Sequence, residues 1–289
     1  GNKQDARKGL SMIRKFRVIN SEGAAYDLNS KQSFFHKVDG FGYKEETDFQ
    51  RIGSDFYALE EVFSQGEITG SIFFCGQGAY EQYRDFTKFV RLTPLTLEYV
   101  TDDTFRLPVR LSEIQKSEMM EGGIGLNCEV VFLATGLFYR SVTKYSETVY
   151  VGGKIYPYTY PYSYADVSAN TLMIESDSVA DSPCRITIYG PCTNPIWKHY
   201  VNNELHATGA YLGTLRGDHR LVIDTTKVPY SITERGISGE IIADRYQACD
   251  FTTERFITLK HGTNRISLSH EGLNSVDMMV EARISYETV

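Results

Sequence analysis

The sequence predicts a mainly-β chain with a single amphipathic helix, and three observations carry that reading. Residues 184–268 largely alternate apolar and polar side chains: Ile186 and Ile188 flank Thr187, Ile257 and Leu259 flank Thr258, and Ile266 and Leu268 flank Ser267, while Leu221 and Ile223 flank the β-branched Val222. A period of two puts each pair on one face of a strand, which needs a second apolar layer to cover it, so the stretch reads as a β-sandwich. The 20 Tyr and 16 Phe, against one Trp, favour strands. Helical spacing is clear at Ala79–Val90, where Tyr80, Tyr83, Phe86 and Val90 recur at three- and four-residue steps.

The elements follow in order. Ile13–Ile19 alternates as a strand and ends at the turn Ser21-Glu22-Gly23. Phe34–Tyr43 runs into Gly40-Phe41-Gly42-Tyr43, read as a flexible aromatic loop, and Asp55–Phe63 fits helix or strand. Ile68–Phe74 is a strand, and the helix stops before Pro94. Strands resume at Leu95–Val100, Leu107–Leu111 and Leu126–Leu133, with Gly122-Gly123 between the last two. Gly190-Pro191, Asn202-Asn203, Gly217-Asp218 and Gly262-Thr263-Asn264 punctuate the later strands as turns.

At 289 residues the chain has room for two domains. Composition shifts near residue 150: Gly152-Gly153 precede a run with Tyr156, Tyr158, Tyr160, Tyr162 and Tyr164 on one side of an extended chain. Pro157 and Pro161 lack an N–H, which rules out a central strand. Two readings stay open: a domain junction whose tyrosine face packs on one domain, or an exposed surface for a sugar or partner. Residues 1–11 then read as a disordered arm or expression remnant, 12–145 as an N-terminal domain, 146–165 as a Gly/Tyr/Pro-rich connector and 166–289 as a C-terminal β-sandwich.

A net charge of −7 opposes non-specific binding to nucleic acid or anionic membrane, since both need a positive field. No apolar run approaches the ~20 residues of a membrane helix. The segment Gly1–Ser11 has basic residues but no apolar core, so it does not read as a secretory signal. Five scattered cysteines do not make a disulfide framework and fit a reducing compartment of synthesis.

Each motif that could carry chemistry fails a test. Gly236-Ile237-Ser238-Gly239 lacks the spacing of a nucleophile elbow, and Gly123-x-Gly125 has Cys128 where a dinucleotide fingerprint needs glycine. No Walker-type phosphate loop is present. Cys184, Cys192, His199 and His206 are too widely spaced for a zinc knuckle, so buried cysteines and strand-borne histidines are expected, with no metal and no cofactor. Asp177 with Asp181, or Asp244 with Asp250, could form a glycosidase pair, but nothing local separates their roles. Trp197 is either a core anchor or a stacking platform for a sugar ring.

Several of these segments together resemble a known family. Ile68-Thr-Gly-Ser-Ile-Phe-Phe74 precedes Tyr80-Glu-Gln-Tyr83-Arg-Asp-Phe86-Thr-Lys-Phe89-Val90, then Leu97-Glu-Tyr99 and Val109-Arg-Leu-Ser-Glu-Ile-Gln-Lys-Ser-Glu118. Leu126-Asn-Cys-Glu-Val-Val-Phe132 closes on Gly136-Leu-Phe-Tyr139, where a Trp-Tyr ending is commoner. This order resembles the ring-forming N-terminal domain, a β-sandwich or α+β fold, of the distal tail proteins of siphovirus-type bacteriophages. The tyrosine run is similar to that family's linker. Ile188–Pro195, Leu221–Thr226 and Phe256–Asn264 resemble its galectin-like C-terminal domain.

The resemblance implies a non-enzymatic homohexameric hub at the virion tail tip, made in the bacterial cytoplasm. Its partners would be the tail tube protein, the tip protein carrying lysin or fibre, and the receptor-binding protein. The galectin sugar motif is missing, because Asn194-Pro195 is followed by Ile196. A ring repeats one head-to-tail contact and so asks for two complementary patches. The loop 34–49, with Phe34, Phe35, Phe41 and Tyr43, is the expected ring contact, together with the tyrosine run. The alternatives are a module that binds host cell-wall polysaccharide through Trp197 or the tyrosines, and a glycoside hydrolase.

Overall fold

The computed structural model describes residues 14–42, 45–148, 170–251, 256–271 and 276–289. The chain divides into two units, Gly1–Arg140 with Tyr286–Val289, and Ser141–Ser285. The expected connector at 146–165 lies outside the described residues from 149 onward.

Alternation sets the strands of the first unit. In β1 (Lys15–Ile19), Phe16 and Val18 are buried while Lys15 and Arg17 face solvent, the pattern of a strand covered on one side. β1 pairs with β2 (Ala25–Asp27) on one edge and β7 (Leu95–Val100) on the other. The long β8 (Thr104–Met119) pairs through its first part with β7, Leu95 opposite Val109 and Val100 opposite Thr104. Its second part pairs with β9 (Gly125–Ala134), which pairs with β6 (Glu67–Cys75), which pairs with β3 (Ser33–Asp39). β10 (Phe138–Tyr145) meets β8 where Tyr139 lies opposite Arg106. Register shifts in β8 between Leu111 and Glu113 and between Lys116 and Met119 mark bulges in its second part.

Helix α1 (Ala79–Phe89) packs its apolar stripe on this framework, burying Ala79 and Phe86, and Val90 closes it. Phe86 meets Tyr26 edge-on at 5.1 Å and lies 5.9 Å from Phe74. The core around it runs from Phe16 and Leu28 through Ile72 and Leu97 to Leu126 and Phe132. Tyr286 and Val289 pack against the same core, and Thr288 donates its hydroxyl to the Phe41 carbonyl at 2.8 Å.

Between β3 and β6 the chain leaves the framework as a separate hairpin, β4 (Glu45–Ile52) with β5 (Asp55–Phe63). The ambiguous segment 55–63 is therefore a strand. The loop expected at 34–49 is corrected to strands over Ser33–Asp39 and from Glu45: Ser33 and Phe35 face inward while Phe34 and Lys37 face out, and β6 supplies the partner ladder of the first.

The second unit holds two sheets. One has the order β11 (Glu147–Thr148), β12 (Asn170–Ser176), β22 (Gly262–Glu271), β14 (Cys192–Val201), β15 (Glu204–Tyr211) and β20 (Cys249–Phe251), with β16 (Thr214–Leu215) on β14. The other has β19 (Ile241–Asp244), β18 (Ser231–Gly236), β17 (His219–Asp224), β13 (Ser182–Tyr189) and β23 (Met278–Tyr286), with β21 (Thr258–Leu259) on β13. Buried Leu172, Ile174, Trp197, Ile266 and Leu268 line the first sheet, and Ile186, Ile188, Leu221, Ile223 and Ile232 the second. This is the β-sandwich that the alternation at 184–268 predicts.

Candidate functional site

The hairpin β4–β5 exposes more large apolar side chain than any strand pair of the framework beside it. Phe49, Ile52, Phe56, Tyr57, Leu59 and Val62 are all exposed, Phe56 to 67% and Leu59 to 66%. Phe49 lies opposite Ala58 and Arg51 opposite Phe56, which places Phe49, Arg51 and Phe56 on one face. Ile52 opposite Asp55 and Gln50 opposite Tyr57 put Ile52 and Tyr57 on the other. Both faces thus carry apolar side chains in water, and Arg51 sits 6.0 Å over the Phe56 ring. A two-stranded ribbon is at best marginally stable alone, so a ribbon of this composition calls for a cover. Acidic residues flank the apolar ones: Glu45, Glu46, Asp48, Asp55 and Glu60 against Arg51.

A cleft of about 590 Å³ lies on the first unit between the C-terminal half of α1 and the second part of β8. Tyr83, Val90 and Leu111 give it an apolar floor, and Arg91 and Arg110 stand at its walls. Lys116, outside the lining, sits with its Nζ 4.7 Å from the Tyr80 ring centre and 5.8 Å from that of Tyr83. Burial pushes the Tyr83 hydroxyl above its usual pKa, with nearby Cys128 adding to the shift. Apolar floor and cationic wall are the complement of an apolar, acidic ribbon.

The expected ring-contact residues are dispersed. Phe34 is exposed on β3, but Phe35 is 2% exposed inside the core, so its role as a contact is corrected to packing. Phe41 stacks among Phe16, Tyr99 and Phe138 at centroid distances of 5.8, 4.8 and 5.8 Å and belongs to the same core. Tyr43 lies outside the described residues, as do Tyr156, Tyr158, Tyr160, Tyr162 and Tyr164. The expected contact loop 34–49 reaches only the first part of β4, and the rest of the hairpin escaped the sequence reading because its apolar residues only become a surface once β4 and β5 pair.

The carbohydrate reading of Trp197 is corrected as well. Trp197 is 1% exposed and lies over Gly209, its cross-strand partner, so no ring face is open to stack a sugar. Cys184 lies on β13 and Cys192, His199 and His206 on β14 and β15. Burial pushes the Cys184 thiol up to about 12 and the Cys192 thiol up to about 11, which disfavours the thiolate a metal would need. Among the described residues no group of three or more His, Cys, Asp or Glu could hold a metal ion. Of the carboxylate candidates, Asp181 pairs with Lys260, and Asp244 accepts the Tyr246 N–H at 2.9 Å. Among the described residues no helix is long and apolar enough to cross a membrane.

Comparison with known proteins adds to this geometry. Residues 15–135 match the family described as distal tail protein, N-terminal domain. Among curated protein sequences none matches the chain. A chain of the phage P2 baseplate in its activated conformation with calcium is similar in fold, with a TM-score of 0.65 and 14% identity over 96% of this chain and 100% of that one. The SPP1 Dit protein, described as a paradigm of the hub adsorption apparatus in phages infecting Gram-positive hosts, gives a TM-score of 0.60 at 12% identity over 92% of this chain and 98% of that one.

Proposed function

We propose, from the match of residues 15–135 to the distal tail protein N-terminal domain, that the chain is a non-enzymatic hub subunit of a phage tail tip. Six copies close into a ring at the end of the tail tube. The ring joins the tube to the tip protein carrying lysin or fibre and to the receptor-binding protein. The subunit is made in the bacterial cytoplasm and works in the virion.

The hairpin β4–β5 is the observation that carries this reading. Its two apolar faces need a cover that the first unit's own core does not supply. In a ring the same hairpin meets the same acceptor on each neighbour, a head-to-tail contact between two unlike patches. The cleft walled by Arg91 and Arg110 is the acceptor whose charge and apolar floor fit an acidic, apolar ribbon. Covering three of the exposed apolar side chains is worth about 4 kcal/mol or more before the entropic cost of association.

Light scattering on the full chain at high concentration tests the assignment. The expected mass is six times the 32.8 kDa of one subunit. Phe56→Ser combined with Leu59→Ser should give a folded monomer by circular dichroism. A monomeric wild type at all concentrations, or a doubly substituted chain of unchanged mass, would count against it.

A further inference from the structure

A row of aromatic rings crosses one edge of the second unit. Phe251 lies 5.7 Å from Tyr246, Tyr246 stacks on Phe256 at 6.0 Å with an interplanar angle of 12°, and Phe256 meets Tyr230 edge-on at 5.3 Å. Tyr230, Tyr246 and Phe256 line an open cleft of about 520 Å³, together with Ser231, Asp244 and Gln247. Tyr230 is 43% exposed, and Tyr246 and Phe256 are each partly open to solvent. Partly exposed rings beside a hydroxyl, a carboxylate and an amide form a mixed surface: apolar platforms for C–H faces, and donors and acceptors for hydroxyls.

The platform is held in place. Asp244 accepts the Tyr246 N–H at 2.9 Å, and the Arg245 N–H bonds to the Ile232 carbonyl at 2.9 Å. Arg245 between them donates to the buried Glu234 at 2.7 Å. Phe251 packs against Tyr246 at a tilt of 35°. The ring is thus fixed before any ligand arrives, which lowers the ordering cost of binding.

Among the described residues of the lining, Asp244 is the one that carries a charge. An acidic wall in a chain of net charge −7 repels phosphate- or carboxylate-bearing ligands. We propose that this cleft is a binding site for neutral pyranose residues of an oligosaccharide, stacked on Tyr246 and Phe256, with Asp244 and Gln247 bonding the sugar hydroxyls. The proposal stands independently of ring assembly.

Isothermal titration of the full chain tests it, with glucan, galactan and chitin hexasaccharides as neutral probes and a glycerol-phosphate oligomer as the anionic one. At least one neutral probe should bind, and more tightly than the anionic one. Tyr246→Ala should weaken that binding ~10-fold, about one stacked ring, whereas Tyr246→Phe should keep it within ~3-fold. Tyr230→Ala removes an already exposed ring, keeps the fold, and should weaken binding several-fold. The proposal is overturned if the wild type binds none of the neutral probes, as expected were the cleft a protein contact. Preference for the anionic probe overturns it too, as does unchanged affinity in folded Tyr230→Ala and Tyr246→Ala.

Discussion

Gly209 is the cross-strand partner of Trp197, and a Cβ at Gly209 would stand 2.5 Å from the indole Cζ2. No real Cβ is tolerated there without movement of the ring. The indole is fixed because its neighbour has no side chain.

Gly209→Ala should therefore destabilise the second unit by about 1–3 kcal/mol, the cost of overpacking a filled core. Trp197 is the sole tryptophan and is buried in that unit, so its fluorescence reports the loss directly. A urea midpoint equal to that of the wild type would refute the steric account.

Acid should unfold the second unit partly through Glu234. Burial raises its pKa, but hydrogen bonds from His219 and Arg245 outweigh that and hold it below the usual carboxylate range. A carboxylate depressed in the folded state contributes stability above its unfolded pKa, ~4.3, and loses it as pH falls through the folded value. Below pH ~4 the wild type should lose stability more steeply than Glu234→Gln in urea titrations monitored by Trp197. Equal slopes would remove Glu234 from the acid transition.

Thiol chemistry should be muted in the native chain. Burial pushes Cys184 up to about 12, and burial with the neighbouring Asp244 charge pushes Cys249 up to about 11. At pH 8 iodoacetamide should leave both unmodified by mass spectrometry until denaturant is added. Rapid native labelling of Cys184 would mean that the second unit opens readily.

Ring formation should weaken with salt. An acidic ribbon seated against Arg91 and Arg110 is attracted across solvent-accessible distances, where screening acts within ~8–10 Å at 0.1–0.15 M ionic strength. Arg91→Glu with Arg110→Glu should lower the association constant at least ~10-fold at low salt and little at high salt. Sedimentation velocity across ionic strengths checks this, and an association indifferent to both would move the acceptor elsewhere.

Legibility in the sequence followed locality. The helix at Ala79–Phe89 and the alternating strands around Phe16, Phe132 and Ile186 could be read because each is set by its own spacing. Asp55–Phe63 could not be assigned, since its apolar residues fit either period and only pairing with Glu45–Ile52 decides between them. Glycines at 40 and 42 made the 34–49 region look like a loop, although Ser33 and Phe35 already pointed inward on a strand.

Sites were less visible than strands. A lone tryptophan in a strand reads first as a core anchor, but the platform stays open until its neighbour is known to be Gly209. Tyr230, Tyr246 and Phe256 lie far apart in the chain with no shared motif, and only the fold of β18, β19 and the turn after them lines them up. The apolar side chains of 55–63 carried no site reading because composition cannot distinguish a covered strand from one awaiting its cover.

The first unit takes back the last four residues, Tyr286–Val289, after the second unit is complete. Tyr286 meets Phe105 edge-on at 5.4 Å, so the return is part of that unit's packing. The second unit is thus an insertion with both its chain ends anchored in one host. Such an insert can be exchanged for another module as a cassette while the host keeps its own closure, which gives a lineage of such subunits a route to change what it displays without rebuilding what holds it together.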